Sequence, residues 1–252
     1  MKLSIICVYN NKEILDKFLL RSLLSQEHTE YEYILIDNTK RAFTSASQAL
    51  NNGGDKASGD YIIFLHQDIM FTSSNTLQNI THYLTDKDKL YGVAGARDSK
   101  GVITNITQGR DFAPAGYAKV TEPTLVQTLD ECMFIVPKEV FEKLKFDESL
   151  INGWHLYVVD YCLSASKMGI SSYVIPADTV YHLSPGFSMN NSYFRTLRKL
   201  AKKHSEFPII YTTMGVWPTN IWLLNRQIFS RNSRRIAKNI IAKLKEVQIK
   251  TR

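Results

Sequence analysis

The chain has 252 residues, of which 44% are hydrophobic and 22% are charged, a balance typical of a globular domain with a sizeable core. Its formal net charge is +7, but residues 226–252 contain nine Lys or Arg and one acidic residue, so the first 225 residues carry a net charge of −1. The basic character therefore belongs to a tail, which argues against a nucleic-acid-binding surface across the domain.

The sequence shows no targeting or membrane-spanning segment. The apolar run at residues 3–8 is too short for a secretory signal, and no run approaches the ~20 apolar residues that a transmembrane helix needs. Cys7, Cys132 and Cys162 follow no metal-binding or disulfide spacing, which predicts buried reduced thiols. We expect a soluble cytoplasmic protein that can lie at the inner face of the cell membrane.

The first 65 residues alternate between strand and helix patterns. A buried parallel strand is predicted from Leu3 to Val8, a helix from Glu13 to Ser25, a strand from Tyr33 to Ile36, a helix from Ser45 to Lys56 and a strand from Tyr61 to Leu65. This βαβαβ order favours a parallel sheet with helices on its faces.

The later elements are shorter. The predicted elements are a helix at 76–84, a strand at 91–96, loops with short antiparallel strands at 98–123, a strand at 128–137, helices at 138–145 and 159–169, a strand at 172–175 and a basic helix at 190–204. Beyond Pro208, the aromatic residues Trp217 and Trp222 mark a predicted hinge into the tail.

Two aspartates lie at the carboxyl ends of predicted strands. Asp37 follows Tyr33–Ile36, and Asp68 follows the strand that begins at Tyr61. In open α/β sheets, ligands bind in the crevice beyond the carboxyl ends of the strands. One acid there suits a ribose hydroxyl or a base and the other suits a divalent cation, so the pattern indicates a nucleoside-diphosphate substrate. The structural alternatives are a turn at Asp37 and a helix N-cap at Asp68.

Four segments occur in one order along this region. They are a first strand ending in Tyr9-Asn10, a second ending in Asp37-Asn38, the helix, turn and strand from Ala49 to Leu65, and the triplet His66-Gln67-Asp68. Together they resemble the nucleotide-binding half of GT-A glycosyltransferases of family 2, with the triplet at the position of the family's Asp-x-Asp motif. The resemblance covers about residues 1–185. It implies an α/β GT-A fold, with a Rossmann-like, mainly parallel sheet flanked by helices.

The resemblance also implies a function. The expected activity is that of a bacterial, inverting, metal-dependent glycosyltransferase, which moves a sugar from a nucleotide-sugar donor, expected to be a UDP-sugar, to a glycan or lipid-linked acceptor in surface polysaccharide synthesis. The residues that it assigns to the donor are Tyr9, Asp37, Asn38, Asn52, Gln67 and Asp68. The expected ligands of Mn²⁺ or Mg²⁺ are Asp68 and His182. His66 replaces the first acid of the family motif, and it either ligates the metal, orients a ligand or packs beneath the metal.

The residue that takes the proton from the acceptor hydroxyl is not fixed by the resemblance. When Asp160 is aligned with the last acid of the family's Glu-Asp-x-Asp motif, Tyr157 and Val158 stand where the Glu and the usual catalytic Asp would be. The candidates for the base are therefore Asp160, Asp130 and His155, in that order, with Glu131 beside them. Asp160 as a helix cap and His155 as a core residue are the structural alternatives.

The predicted organisation has two parts. A GT-A domain covers residues 1–215, with a nucleotide-sugar-binding half at 1–96 and an acceptor and catalytic half at 97–189, and a basic amphipathic helical tail covers 216–252. Apolar residues recur at helical spacing among basic residues in the tail, at Phe229, Ile236, Ile240, Leu244 and Val247. This pattern is typical of a membrane-surface helix, while contact with a protein partner and homo-oligomer formation stay open.

Aromatic residues near the predicted site loops offer apolar faces to a sugar. The candidates are Trp154, Tyr157 and Phe187, with ordinary core packing as the alternative, and the segment 187–193 is a candidate lid.

Three alternative functions, a sugar-phosphate nucleotidyltransferase, a NAD-binding dehydrogenase and a non-enzymatic scaffold, make different demands on the sequence. A sugar-phosphate nucleotidyltransferase needs a Gly-rich loop after its first strand, and residues 9–12 contain no glycine; a Gly-x-Gly-x-x-Gly dinucleotide motif is absent as well. A GT-A-like scaffold that binds sugar nucleotides but has lost its base stays open because of Val158.

Overall fold

The computed structural model describes residues 1–184 and 189–234. The strands, in chain order, are β1 Lys2–Tyr9, β2 Glu30–Asp37, β3 Tyr61–His66, β4 Ile69–Phe71, β5 Lys89–Gly92, β6 Ala94–Ala96, β7 Ile103–Thr104, β8 Thr107–Gln108, β9 Ala113–Pro114, β10 Thr124–Val126, β11 Thr128–Leu129, β12 Met133–Pro137, β13 Ser171–Val174, β14 Val180–His182, β15 Ile209–Thr212 and β16 Gly215–Pro218. The helices are α1 Lys12–Ile14, α2 Arg21–Leu23, α3 Ala46–Gly54, α4 Thr76–Thr81, α5 Lys138–Lys143, α6 Tyr157–Lys167, α7 Asn191–Lys203 and α8, residues 221–234. A π-helical segment, Leu15–Leu20, joins α1 to α2 in one continuous helix.

Seven strands form the central sheet, in the order β10-β13-β5-β12-β3-β1-β2. β3 and β12 are buried almost throughout because both faces of the sheet are covered. β1 pairs in parallel with β2 and β3, and β13 pairs in parallel with β5, whereas β12 runs antiparallel to both of its neighbours. The expected mainly parallel sheet flanked by helices is therefore confirmed.

The register of the parallel strands brings their polar ends to one edge of the sheet. Tyr9 lies opposite Asp37, and Val8 lies opposite His66. Since neighbouring strands lie about 4.8 Å apart, the backbone positions of Asp37 and His66 are about 10 Å apart at this edge. One nucleotide can therefore contact both ends.

The turn into β3 is fastened to β1 by a carboxylate. Glu32 Oε1 accepts hydrogen bonds from Ser4 Oγ at 2.6 Å and from the backbone N–H of Ser58 at 2.7 Å. A Cβ atom at Gly59 would lie 2.7 Å from the Ser4 nitrogen, so only glycine fits there. Burial favours a higher pKa for Glu32, but the hydrogen bonds outweigh it and lower the pKa to about 2. The ionised carboxylate therefore helps to hold the positions of β1, β2 and β3.

A short strand follows Asp68. The residues after it form β4, which pairs antiparallel with β14 and places His182 opposite Ile69. The alternative in which Asp68 caps a helix is therefore excluded, and two distant parts of the chain meet beside β3.

The predicted strand over residues 128–137 is interrupted. β11 joins β6 and β7 in a small sheet, whereas β12 enters the central sheet. The residues between them, Asp130, Glu131 and Cys132, cross from one sheet to the other, and the backbone N–H of His66 donates to the Cys132 carbonyl at 3.0 Å. Because of this interruption, Asp130 and Glu131 lie at the edge of the sheet where β3 ends.

The C-terminal part of the described chain packs onto the body. Trp217 of the β15–β16 hairpin is 1% exposed, and Leu224 and Ile228 of α8 are buried with it against α6 and α7. The packed body therefore extends past the expected boundary at residue 216. The remainder of the predicted tail, residues 235–252, and the candidate lid residue Phe187 lie outside the described residues. Within 1–184 and 189–234, no helix combines the length and apolarity that crossing a bilayer requires.

Candidate active site

Three side chains at the end of β3 form a cluster with the character of a metal site. His66 ends β3, Asp68 precedes β4, and His182 ends β14. His182 Nε2 lies 3.4 Å from Asp68 Oδ1 and 3.5 Å from His66 Nδ1. One ligand atom from each residue lies within 4.8 Å of the others, so the three could hold one cation. We call these residues the metal cluster.

The electrostatics of the metal cluster suit a divalent cation. Burial alone would raise the pKa of Asp68, but the hydrogen bond and charge of His182 and the hydroxyl of Ser184, 2.5 Å away, hold the pKa well below its usual range. Burial, followed by the neighbouring His182, lowers the pKa of His66 to about 4. The cluster therefore offers an ionised carboxylate and a neutral imidazole at neutral pH. Two imidazoles beside one carboxylate suit Mn²⁺ better than Mg²⁺, which prefers oxygen ligands.

A cavity of about 350 Å³ lies between the end of β1, the start of α3 and Asp68. We call it the β1 cavity. Its lining includes Tyr9, Asn38, Gln67 and Asp68 among the residues that the sequence assigned to the donor. Gln67 also braces the loop after β1, because its Oε1 accepts from the N–H groups of Asn10 and Asn11 at 3.1 and 3.0 Å. Asn38 binds the backbone of Phe43 through both ends of its amide, which shapes the loop beside the cavity.

Two other predicted donor residues lie elsewhere. Asp37 is exposed at the end of β2, where its carboxylate accepts from the N–H and the hydroxyl of Thr39 at 2.8 and 2.7 Å. These bonds lower the pKa of Asp37 and keep it ionised. Asn52 is exposed on α3 and bonded to Lys56, away from the β1 cavity. The reason is helix phase, since Asn52 lies two residues, about 200°, around the helix from Leu50, which lines the cavity.

A second cavity, of about 380 Å³, lies on the other side of the metal cluster. We call it the hairpin cavity, because Thr213 and Met214 at the tip of the β15–β16 hairpin form part of its wall. The residues that line both cavities are His66, Trp154 and Ser184. The metal cluster therefore lies at the junction of two spaces that could hold two reactants.

Two of the three candidate bases line the hairpin cavity. Asp130 accepts from the Thr213 hydroxyl and, at 2.9 Å, from the Cys132 N–H. Burial opposes ionisation of Asp130, but these bonds outweigh it and lower the pKa. Burial lowers the pKa of His155, which leaves its imidazole neutral at pH 7. Both groups can therefore accept a proton.

The structure does not bring Asp160 to either cavity. Its Oδ1 lies 2.8 Å from His204 Nε2, its Oδ2 accepts from Lys203 Nζ at 2.9 Å, and the carboxylate is buried between α6 and α7. The hairpin cavity is lined instead by Leu156 and Val159 of the same region. Helix phase turns Asp160 toward α7, so we replace its expected role as the base with a structural one.

The structure adds two residues to the site and gives Tyr157 and Glu131 contacts that the sequence does not predict. Thr213 and Met214 carry no sequence signal for the site, because the pattern beyond Pro208 predicts only a hinge. The hydroxyl of Tyr157 lies 3.2 Å from His66 Nε2. Glu131 lines the hairpin cavity, and burial followed by the charge of Asp130 raises its pKa well above the usual range. The sequence marks Tyr157 only as an aromatic residue that could stack on a sugar and as the residue at an acidic position of the resembled motif.

Comparisons with known proteins agree with this architecture. Residues 4–204 match the model of a family described as Glycosyltransferase like family. Three solved structures with a similar fold are residues 1–349 of TarS from S. aureus (15% identity, TM-score 0.56, 81% of this chain and 65% of that chain), the mannosyltransferase PcManGT from Pyrobaculum calidifontis (15%, 0.56, 81% and 64%) and GalNAc-T7 (16%, 0.56, 79% and 47%). The chain thus spans less than two-thirds of the length of each. At these identities the likeness establishes the fold, and the expected GT-A fold is confirmed. No curated protein sequence matches the chain.

Asp160→Asn separates a structural role from a catalytic one. Removing the charge leaves buried His204 without its hydrogen-bonded carboxylate and leaves Lys203 paired with Asp147, so the free energy of unfolding should fall by about 1–3 kcal/mol. Sugar transfer by the folded variant should stay within about threefold of the wild type, well short of the loss expected on removing a base. Urea unfolding and activity at low temperature measure the two effects. Asp55→Asn, which breaks an exposed pair with Lys145, is the matched control. Unchanged stability with lost transfer would restore Asp160 as the base.

Proposed function

Because the chain belongs to the glycosyltransferase-like family that matches residues 4–204, we propose that it transfers a sugar from a UDP-sugar to a glycan or lipid-linked acceptor, with inversion and with a divalent metal ion. The observation that carries this proposal is the position of the metal cluster between the β1 cavity and the hairpin cavity. A donor in the first and an acceptor in the second would meet beside His66 and Trp154.

The β1 cavity is the proposed donor site. Tyr9 and Asn38 line it. Asp37, opposite Tyr9 at the end of β2, is an exposed, ionised carboxylate that suits a ribose hydroxyl or a base. Asp68, His182 and His66 would hold Mn²⁺, which when bound neutralises the charge of the diphosphate as it leaves. Structures of similar fold include TarS with UDP-GlcNAc, PcManGT with GDP-Man and Mn²⁺, and GalNAc-T7 with UDP and Mn²⁺, and these complexes support a nucleotide-sugar donor.

The hairpin cavity is the proposed acceptor site, with His155 as the base. The acceptor oxygen attacks the anomeric carbon, His155 takes its proton, and the bond to the diphosphate breaks on the opposite face. His155 is favoured over Asp130 because no described residue hydrogen-bonds its ring, whereas Thr213 and Cys132 already bind the Asp130 carboxylate. A neutral imidazole also has a pKa closer to neutrality than a carboxylate with a lowered pKa, which suits a general base better.

The exposed surface of α8 supports the proposal that the protein binds to a membrane surface. Trp222 and Phe229, one on each side of Arg226, are 68% and 74% exposed, and residues 221–234 contain three Arg and no acidic residue. Aromatic and basic side chains on one helix are typical of contact with anionic lipid. We therefore propose a cytoplasmic enzyme at the inner membrane face, acting on a lipid-linked acceptor in bacterial surface polysaccharide synthesis.

One observation favours a second candidate, a sugar-nucleotide-binding scaffold. Val158 occupies the position of the usual catalytic acid, and Asp160 is committed to His204 and Lys203. A scaffold would bind UDP with Mn²⁺ and cleave no donor, whereas the proposed enzyme slowly hydrolyses its UDP-sugar without an acceptor.

Asp68→Asn tests the metal and the donor together. Removing the carboxylate charge should abolish the Mn²⁺-dependent part of UDP affinity and the hydrolysis of the UDP-sugar, and EDTA should do the same to the wild type. Calorimetric titration of UDP with and without Mn²⁺ measures the first effect. Asp111→Asn, on the exposed loop after β8, is the control that should change neither. Undiminished Mn²⁺-dependent affinity in the Asp68 variant would remove Asp68 from the site.

The pH dependence of transfer identifies the base. The base must be deprotonated, and burial holds the pKa of His155 below 6.5, so kcat/KM should be constant near pH 7–8 and fall as the pH drops below that value. At saturating Mn²⁺, His155→Gln should lower kcat by ~10²- to 10⁴-fold and leave UDP affinity unchanged. If Asp130 is the base instead, Asp130→Asn alone should cause that loss, and the fall should begin only near or below 3.8.

Vesicle flotation tests the membrane surface. Wild-type protein should float with vesicles that contain phosphatidylglycerol and remain unbound with phosphatidylcholine alone, because the basic groups need anionic lipid. Replacing both Trp222 and Phe229 with Ser should reduce flotation and leave hydrolysis of the soluble donor intact. Leu125→Ser, an exposed apolar residue on β10, is the control. Equal binding to both kinds of vesicle would contradict the proposal.

A further inference from the structure

The strand interruption between β11 and β12 places Glu131 against the start of α6. One carboxyl oxygen of Glu131 accepts from the backbone N–H of Tyr157 at 3.1 Å, and the N–H of Leu156 also hydrogen-bonds this carboxyl. The first N–H groups of a helix have no partner within the helix, and α6 has no capping side chain at its own N-cap position. Glu131, 26 residues earlier, therefore acts as the cap.

The residue at this N-cap has an unusual backbone conformation. Leu156 has φ 68° and ψ 11°, in the left-handed region, which costs a non-glycine residue about 1–2 kcal/mol. Its side chain is buried, so the conformation is held by packing as well as by the bonds to Glu131. Strained backbone of this kind persists only where the surroundings fix it, and it is concentrated at functional sites.

The left-handed turn directs the residues on its two sides into different parts of the site. His155, just before it, lines the hairpin cavity and packs edge-to-face on Tyr193. Tyr157, just after it, lines the β1 cavity, and its hydroxyl lies 3.2 Å from His66 Nε2. The bonds from Glu131 therefore fix the chain between the proposed base and the neighbour of a proposed metal ligand.

The contact between Tyr157 and His66 decides which ring nitrogen faces the cation. A histidine ligates through the nitrogen that carries no proton, and a partner on the other nitrogen selects that tautomer. His66 Nδ1 faces His182, 3.5 Å away. If Nδ1 holds the cation, Nε2 carries the proton and can donate it to the Tyr157 oxygen, 3.2 Å away. His66 and Tyr157 both stand at acidic positions of the resembled motifs. The two departures from those motifs are thus joined by one hydrogen bond.

We propose that Tyr157 and Glu131 are positioning residues for the metal site: Tyr157 holds His66 with Nδ1 toward the cation, and Glu131 holds Tyr157 by capping α6. This inference rests on the metal site in the proposed function, but it concerns residues outside the set of proposed metal ligands. It also makes the interruption between β11 and β12 part of the metal site.

The test measures Mn²⁺ binding directly, by electron paramagnetic resonance on the full chain with Mn²⁺ alone. Tyr157→Phe removes only the hydroxyl and should weaken Mn²⁺ affinity by ~10-fold or more, the usual effect of losing such a partner. Glu131→Met removes the acceptor oxygens and should do the same. Glu131→Gln retains an acceptor oxygen and should stay within about threefold of the wild type. Glu139→Gln, at an exposed pair with Lys87, is the control that should not change the affinity.

A double-mutant cycle tests whether Glu131 affects Mn²⁺ affinity through Tyr157, which we call the relay, or independently of Tyr157. If Glu131 acts through Tyr157, the double variant Glu131→Met/Tyr157→Phe should lose no more Mn²⁺ affinity than the larger single loss. Losses that multiply would overturn the relay, and so would unchanged affinity in Tyr157→Phe or the absence of Mn²⁺ binding by the wild type. If Glu131→Met does not fold, as judged by circular dichroism, the Tyr157→Phe result and the Glu131→Gln affinity decide the question. A wild type that binds Mn²⁺ through this relay but transfers no sugar would refute the proposed function alone.

Discussion

The antiparallel pairing of β4 with β14 is the constraint on which the candidate site depends. It sets His182 opposite Ile69 and so brings a residue from late in the chain to the carboxylate that follows β3. The pairing of β1 with β2 and β3 supplies the other half, because it carries Asp37 to the same edge of the sheet. A shift of either register by one residue would turn the side chains to opposite faces and separate the groups.

The two cavities suit the site to a transfer reaction, because each could hold one reactant. A transfer reaction needs two reactants held in contact, and positioning alone contributes a large part of the rate enhancement. The metal cluster and Trp154 lie where the β1 cavity meets the hairpin cavity. The tip of the hairpin lies at residues 213–214, beyond the family match that ends at residue 204. The hairpin cavity, the proposed acceptor site, is thus built partly from a segment outside the region that matches the family, and differences in this segment would change which acceptor fits.

The sequence predicted the parts of the fold that apolar runs and turn residues determine. The βαβαβ order and the strand ends at Asp37 and Asp68 follow from such local patterns, and the metal cluster includes Asp68 and His182 as expected. The interruption between β11 and β12 was not predictable, because an apolar run does not reveal that its two ends join different sheets. The side chains of Asp160 and Asn52 lie outside both cavities for another reason. Each lies near the correct position in its helix, but the phase of the helix turns the side chain away from the site.

The most direct test of the account is the structure of a crystal soaked with Mn²⁺ and UDP, with the cation located by anomalous scattering. The account predicts one Mn²⁺ ligated by Asp68, by His182 and by Nδ1 of His66, with the diphosphate completing its coordination and the nucleoside in the β1 cavity beside Asp37. A cation bound away from these three residues, or a nucleotide bound in the hairpin cavity, would contradict it.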